Sequence, residues 1–218
     1  DRVLVTAGTS EGIELALTAL VDPGSEVLVP MPNYPLYTAI ISKLGGRAVH
    51  YRTDPQRGWI PDLDHLSTLA TRATRALVVI DPNNPTGATY PADVRRRLLA
   101  FAESKGLPVL ADEVYFDLGY DGPVPPLGSL APEAAVISFC SLSKGYLAPG
   151  WRAGWLVVGK NPRLDDLMAA MRRLADGRLC SNVPVQHAIS AALDGDRANQ
   201  IALRAAFVAV MDGRQVAV

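Results

Sequence analysis

Four polar residues lie close together in the second half of the chain. They are two serines, a lysine and an arginine, and together they could bind an anion and a carbonyl compound. Ser141-Leu142-Ser143-Lys144 follows an apolar stretch at 134–139, and Arg152 comes shortly afterwards in a loop rich in glycine and proline. Serine hydroxyls and a guanidinium suit a phosphate dianion, and a lysine can bond covalently to a carbonyl carbon. A surface lysine is the alternative for any single lysine, but the neighbours of Lys144 favour a chemical role.

A carboxylate and a tyrosine follow another apolar stretch, Leu107 to Ala111. Asp112 comes directly after it, and Tyr115 follows within the same loop. A carboxylate at the end of a buried strand is unfavourable unless a cation lies beside it. A protonated pyridine nitrogen would be such a cation, and a lysine or arginine of the protein would be another. These residues alone leave both possibilities open.

The loop Asp81-Pro82-Asn83-Asn84-Pro85-Thr86-Gly87 follows a third apolar stretch, Leu77 to Ile80. A plain turn needs neither two prolines nor two asparagines. We interpret the loop as a rigid frame that orients one asparagine amide toward an oxygen of a ligand.

Two loops in the first part of the chain complete the set. The turn Gly8-Thr9-Ser10-Glu11-Gly12 leads from a predicted strand into a predicted helix, whose free N–H groups could bind phosphate. A simple helix cap formed by Ser10 is the alternative. Pro32-Asn33-Tyr34-Pro35 places an aromatic ring in a loop held by prolines, where it could stack on a flat heterocycle or pack on the surface.

Stretches of strand length alternate with stretches of helix length over the first three quarters of the chain. This alternation predicts a mostly parallel sheet covered by helices on both faces, a three-layer α/β/α fold. In such a fold the loops after the strands gather at one edge of the sheet. The predicted strands are 3–5, 26–29, 48–51, 77–80, 108–111, 134–139 and 156–158, and the predicted helices between them are 10–21, 34–44, 63–70 and 91–104.

The pattern becomes wholly helical after residue 163, with predicted helices at 163–174, 183–193 and 198–211. We therefore predict that the sheet domain spans residues 1–195 and that residues 196–218 begin a second, smaller helical domain.

Composition excludes several classes of partner and site. A net charge of −1 provides no overall field for nucleic acid or an anionic membrane, so we expect neither as a partner. No apolar run approaches the roughly 20 residues of a membrane helix. Cys140 and Cys180 indicate neither a metal motif nor a disulfide framework, and we expect no metal and a cytoplasmic location. The run Arg95-Arg96-Arg97 is predicted to lie on a solvated helix face.

Taken together, these motifs and their order resemble the fold-type I pyridoxal-phosphate-dependent aminotransferases of class I and II, whose large domain the chain would form. The resemblance implies that Lys144 binds the cofactor aldehyde covalently, that Asp112 pairs with the pyridine nitrogen, and that Tyr34 stacks on the ring. Asn84 and Tyr115 would hydrogen-bond the phenolate oxygen of the ring. Thr9, Ser10, Ser141, Ser143 and Arg152 complete the predicted cofactor site, all but Ser143 as phosphate ligands.

Within that family, Pro32 to Tyr37, His50-Tyr51 and Arg178 to Ala188 look most like bacterial alanine transaminases of the glutamate-pyruvate type. The resemblance implies ping-pong transfer of an amino group between alanine and pyruvate and between glutamate and 2-oxoglutarate. Lys144 would move the proton at the substrate Cα. A homodimer is also implied, with Arg178 to Pro184 near the partner.

Three alternatives accompany this prediction: the cofactor-binding sensor domain of a transcription regulator, another reaction on the same cofactor such as β-elimination or decarboxylation, and a catalytically incompetent fragment. Family members are considerably longer, and the arginine expected to clamp the substrate carboxylate has no counterpart in the 218 residues. We therefore expect a fragment or a shortened gene product that binds the cofactor weakly at most.

Overall fold

The computed structural model describes residues 2–119 and 121–211. Within them, one sheet contains eight strands in the order β1-β8-β7-β6-β5-β2-β3-β4. Numbered along the chain, these strands are β1 (Val3–Thr6), β2 (Glu26–Met31), β3 (Arg47–Asp54), β4 (Ile60–Pro61), β5 (Thr74–Ile80), β6 (Val109–Asp112), β7 (Val136–Ser141) and β8 (Gly154–Val158).

Helices cover both faces of the sheet, which confirms the predicted three-layer architecture. The helices are α1 (Thr9–Leu20), α2 (Pro35–Lys43), α3 (Leu63–Leu69), α4 (Ala92–Lys105), α5 (Asp165–Asp176), α6 (Val183–Asp194) and α7 (Ala198–Met211). Side chains of α1, α2 and α5 share one apolar core with the sheet, and those of α3 and α4 share the other. Along β5, Val78 and Ile80 enter the first core whereas Leu77 and Val79 enter the second, because successive side chains of a strand point to opposite faces.

Strand direction brings the polar loops to one edge of the sheet. Strands β2, β3, β5, β6 and β7 run parallel to one another, and β8 runs antiparallel to both β7 and β1. Strand β1 therefore points the same way as β7. The loops that follow β1, β2, β5, β6 and β7 and the loop that precedes β8 all meet at this edge, which we call the carboxyl edge.

Local sequence explains where two of the helices beside this edge begin. Helix α1 starts after Gly8, whose φ of 85° lies in the left-handed region that glycine tolerates. Helix α2 starts at Pro35, and proline suits the first helical position because its missing N–H has no partner there. Tyr34 is consequently held in extended conformation just before the helix.

The prediction that Arg95, Arg96 and Arg97 all lie on a solvated helix face is wrong for Arg95. Its side chain is buried, and Nε lies 3.1 Å from Asp81 Oδ2. Arg95 also donates a hydrogen bond to the carbonyl oxygen of Pro125. Arg96 and Arg97 are exposed as predicted. The buried arginine is tolerated because a buried carboxylate and a backbone oxygen compensate its charge.

Helix α7 lies against a short 3₁₀ turn at Phe116–Leu118, and Arg197 forms an ion pair with Asp117. The domain boundary between residues 195 and 196 stays a prediction, and residues 212–218 lie outside the described part of the chain. Among the described helices, none is both long enough and apolar enough to cross a membrane.

Candidate active site

One pocket at the carboxyl edge contains every residue that the sequence predicted for the site. Its volume is about 170 Å³. Each polar loop contributes at least one side chain to its wall, as parallel strand direction requires. The predicted residues that line it are Thr9, Ser10, Tyr34, Asn84, Asp112, Tyr115, Ser141, Ser143, Lys144 and Arg152, and they are joined by Ile13, Val114 and Pro149.

Asp112 ends β6 and is the buried carboxylate of this pocket, with 4% of its surface exposed. It accepts a hydrogen bond from the Tyr37 hydroxyl at 3.1 Å and one from the Val114 backbone N–H at 3.4 Å. Burial raises the pKa of Asp112 to about 6, although both hydrogen bonds act to lower it. In the described part of the chain Asp112 forms no ion pair, so the protein cation that the sequence left open as its partner is not found there.

Tyr37 is the residue of this region that we did not predict. It lies on α2 and is completely buried, with its hydroxyl directed to Asp112. Tyr34 precedes the helix in extended conformation, so helical periodicity does not relate the two tyrosines. Residue type alone offered no signal for Tyr37, because a buried tyrosine is common in an apolar core.

The anion cradle is the part of the pocket formed by Thr9, Ser10, Ser141 and Arg152. No side chain caps the start of α1, so the helix cap considered for Ser10 is absent and the first-turn N–H groups remain available. The buried Thr9 Oγ1 has no hydrogen-bond partner among the described residues. An unpartnered buried hydroxyl beside free N–H groups favours an anionic ligand.

Backbone contacts set the position of Arg152 in the cradle. Its two terminal nitrogens donate to the carbonyl oxygens of Pro149 at 3.0 Å and Ala7 at 2.9 Å. A side chain at Gly8 would overlap the Arg152 guanidinium. Glycine at this position therefore leaves the space in which the guanidinium lies.

The turn after β7 presents the serines and the lysine. Ser141 is buried, and its Oγ accepts a hydrogen bond from the Ser143 backbone N–H at 3.2 Å. Leu142 N–H donates to the Ala153 carbonyl oxygen at 3.0 Å, which ties this turn to the start of β8. Lys144 is exposed, and its Nζ lies 5.6 Å from the centre of the Tyr115 ring. The lysine is thus free to meet a ligand while the aromatic face restricts its position.

The two asparagines of the loop after β5 have different surroundings. Asn83 Oδ1 accepts hydrogen bonds from the Thr86 N–H at 3.3 Å and from the Thr86 hydroxyl at 2.9 Å. The Asn83 backbone N–H donates a hydrogen bond to the Ala88 carbonyl oxygen at 2.8 Å. Asn83 therefore braces the loop, and Asn84 lines the pocket.

Two larger cavities show that size does not identify the site. One of about 520 Å³ is lined by acidic and basic side chains, among which Arg52 and Asp62 pair at 3.2 Å. Another of about 680 Å³ is lined mostly by apolar groups, including Trp155 and Val157. The smaller pocket differs from both in the groups that line it. It combines an anion cradle and a lysine with a buried carboxylate that pairs with no cation among the described residues. This donor set fits a ligand that carries a phosphate, a carbonyl group and a cationic ring nitrogen.

Comparison with known proteins agrees with this donor set. The model of the family described as "Aminotransferase class I and II" matches residues 1–214. The alanine aminotransferase of Mycobacterium tuberculosis is 44% identical over 197 residues, which are 89% of this chain and 46% of that protein. The glutamate-pyruvate aminotransferase AlaA of Escherichia coli is 42% identical over the same length, 49% of its own chain.

The fold also matches a solved structure. Alanine aminotransferase from Pyrococcus furiosus superposes with a TM-score of 0.90 at 40% sequence identity, and the match covers 93% of this chain and 52% of that one. The chain spans about half the length of the relatives it matches.

Proposed function

Because the chain belongs to the family of class I and II aminotransferases, we propose that it acts in the transfer of an amino group between an amino acid and a 2-oxo acid, with pyridoxal 5'-phosphate as cofactor. The observation that supports this most strongly is the pocket in which Lys144 and the anion cradle occur together with Asp112. Each group has a matching part in the cofactor: the aldehyde, the phosphate and the ring nitrogen.

The anion cradle would bind the phosphate through the Arg152 guanidinium, the hydroxyls of Thr9, Ser10 and Ser141, and the first-turn N–H groups of α1. Ser143 lies beside Ser141 at the same end of the pocket. The Thr9 hydroxyl would gain the partner it lacks. Charge-assisted hydrogen bonds of this kind are stronger than neutral ones, and they fix the end of the ligand that does not react.

Other side chains of the pocket would orient the ring. Tyr34 stacks on its face, and Asn84 and Tyr115 donate hydrogen bonds to its phenolate oxygen. Asp112 pairs with the ring nitrogen and holds a proton there, because an ionised carboxylate in a buried site favours a cation beside it. When bound, the cofactor supplies an aldehyde and a cationic ring that accepts electrons from the Cα–H bond of an amino acid.

Lys144 would have two functions. Its Nζ would hold the cofactor aldehyde until an amino acid takes its place. It would then accept the proton from the substrate Cα and deliver it to the aldehyde carbon of the cofactor, which the substrate nitrogen separates from Cα. Substituting Lys144 would therefore remove covalent cofactor binding and proton transfer together.

We further propose alanine with pyruvate and glutamate with 2-oxoglutarate as the substrate pairs. The similarity to the alanine aminotransferase of M. tuberculosis and the glutamate-pyruvate aminotransferase of E. coli supports this choice. Incubation of the cofactor-loaded protein with alanine should release pyruvate, and later addition of 2-oxoglutarate should yield glutamate. Lysine should yield no 2-oxo acid under the same conditions. Cofactor binding without any release of pyruvate would contradict the substrate assignment and favour either the sensor domain or the catalytically incompetent fragment.

The proposal includes a homodimer in the cytoplasm, with neither nucleic acid nor a membrane as a partner. The net charge of −1 supports the proposal that neither nucleic acid nor a membrane is a partner. Cys140 and Cys180 are both free thiols, which agrees with a reducing compartment.

A further inference from the structure

We propose that Tyr37 is a positioning residue of this site, whose hydroxyl orients the Asp112 carboxylate and keeps it ionised for the cationic ring nitrogen of the cofactor. This inference rests on the proposed function. It assigns a role to a residue that does not itself line the pocket.

The contact between the two side chains is buried and specific. Tyr37 Oη donates to Asp112 Oδ2 at 3.1 Å, and 0% of the Tyr37 surface and 4% of the Asp112 surface are exposed. Among the described residues, the only other hydrogen bond to this carboxylate is the longer one from Val114 N–H, at 3.4 Å. Tyr37 is therefore the main donor that orients the carboxylate plane.

Tyr51 shows what a buried tyrosine does when its role is structural. It is also completely buried, but its hydroxyl donates to the Val78 carbonyl oxygen at 2.8 Å. That acceptor belongs to the backbone of β5 and has no titratable proton. Tyr37 differs because its acceptor is the single buried carboxylate of the pocket.

Ionisable groups surround Asp112 on several elements. Burial and the nearby carboxylate raise the pKa of Tyr37, so its hydroxyl stays a protonated donor at neutral pH. On β7, burial raises the pKa of the Cys140 thiol to about 12, which keeps the thiol neutral. Glu113 is the next residue along the chain, and burial raises its pKa to about 7. The remaining groups that line the pocket are Tyr34, Tyr115, Lys144 and Arg152.

The hydroxyl of Tyr37 affects cofactor binding through the protonation state of Asp112. Its hydrogen bond lowers the pKa of a carboxyl group that burial has raised to about 6. Loss of the hydroxyl would raise that pKa further, so a larger fraction of Asp112 would be protonated near neutral pH. A protonated carboxyl cannot pair with a cationic ring nitrogen, and binding should weaken as the pH falls.

The test is the dissociation constant of pyridoxal 5'-phosphate between about pH 5 and about pH 8. It would be measured by absorbance on the wild-type chain, Tyr37→Phe and the matched control Tyr51→Phe, each checked for folding by circular dichroism. We expect Tyr37→Phe to bind about 10-fold more weakly near neutral pH, the effect of one lost hydrogen bond to a charged group. The decline on the acidic side should also begin at higher pH. Tyr51→Phe should match the wild type in both respects.

A double-mutant cycle separates action through Asp112 from a general packing effect. Tyr37→Phe should weaken binding in the wild-type background but not in Asp112→Asn, because the asparagine has no charge to maintain. Equal losses in the two backgrounds would overturn the inference. The inference would also be overturned if the decline in binding on the acidic side began at the same pH in Tyr37→Phe as in the wild type.

The proposed function and this inference fail in different ways. If the wild-type chain binds no pyridoxal 5'-phosphate, both are wrong. If it binds the cofactor at Lys144 and Tyr37→Phe behaves like Tyr51→Phe, the inference alone is wrong. Titration of Glu113 and of the cofactor is common to these variants, so the difference between their pH profiles reports on Asp112.

Discussion

Burial raises the pKa of Asp112 from 3.8 to about 6, because the described residues supply hydrogen bonds but no cation. The folded chain therefore binds this proton more tightly than the unfolded chain does. Stability is lost as the pH rises from about 4 to about 6, and the loss is complete above that range. The charge that the proposed cofactor would need on Asp112 thus destabilises the chain when no cofactor is bound.

Asp112→Asn should stabilise the cofactor-free chain at neutral pH while weakening cofactor binding. We expect the free energy of unfolding to rise by about 1 to 2 kcal/mol. This is less than the roughly 3 kcal/mol that corresponds to the full pKa shift, because the amide must also be buried. Urea unfolding at a series of pH values would measure it. The gain should disappear below about pH 4, where the wild-type carboxyl is protonated in both states.

Asp81→Asn is the matched control. Burial raises the pKa of Asp81 to about 6 as well, but Arg95 Nε lies 3.1 Å away. Substitution of Asp81 leaves the buried Arg95 guanidinium without its carboxylate. It should therefore reduce the free energy of unfolding by about 3 to 5 kcal/mol. A stabilising effect of both substitutions would contradict this account of the two carboxylates.

Lys144 should be the residue that borohydride traps with pyridoxal 5'-phosphate, because it is the lysine that lines the pocket. Mass spectrometry should find the pyridoxyl group there in the wild type and in Lys105→Ala, and at no position in Lys144→Ala. Lys105 is exposed in the last turn of α4. Modification of another lysine in the wild type would contradict the assignment.

At the scale of elements, the start of α1 and the start of β8 lie in direct backbone contact. A Cβ at Gly154 would lie 2.5 Å from the Gly8 carbonyl carbon and 2.7 Å from the Thr9 nitrogen. Backbone atoms cannot move aside as the end of a flexible side chain can. This contact joins the two sides of the anion cradle, since Thr9 follows Gly8 and Arg152 precedes β8.

Gly154→Ala should therefore both destabilise the fold and weaken phosphate binding. Overpacking of this kind usually reduces the free energy of unfolding by about 1 to 3 kcal/mol. Gly150→Ala is the control, because no atom of the described residues beyond its two chain neighbours lies within 4 Å of the Cβ it would add. Chemical denaturation and inhibition of cofactor binding by inorganic phosphate would be measured on both variants. Equal behaviour of the two would show that the close contact has no effect on the cradle.

At the scale of the whole molecule, large apolar side chains are exposed near the pocket. Leu147 and Trp151 lie in the loop between Lys144 and Arg152, and 86% of the Leu179 surface is exposed in the segment after α5. The family resemblance places Arg178 to Pro184 near the partner subunit, and Leu179 lies in that segment. The proposed homodimer would cover part of this surface.

Leu179→Asp should weaken self-association, because the carboxylate would have to be buried in the proposed dimer interface. Ile201→Asp on α7 is a control at another exposed apolar position. Sedimentation velocity over a range of protein concentrations would measure the fraction of dimer. A wild-type chain that stays monomeric at every concentration would contradict the homodimer, and equal effects of the two substitutions would contradict the placement of Leu179.

Much of the fold was predictable because its signals are local in sequence. The bounds predicted for α7, 198–211, agree with the structure, and the predicted order of strands and helices agrees over 3–158 except for β4. Short β4 was not predicted, since two residues are too few for a periodic signal. Arg95 was misplaced because helical periodicity does not show that Asp81 lies close enough to compensate a buried charge.

The sequence by itself determined which chemical groups the pocket contains. Each group follows or precedes an apolar strand, and a parallel sheet must bring such positions to one edge. Tertiary structure decided the rest. Antiparallel β8 returns Arg152 to that edge, and the contact of Tyr37 with Asp112 joins residues 75 positions apart. Contacts of this range depend on how strands and helices pack against one another, and no local pattern of residues encodes them.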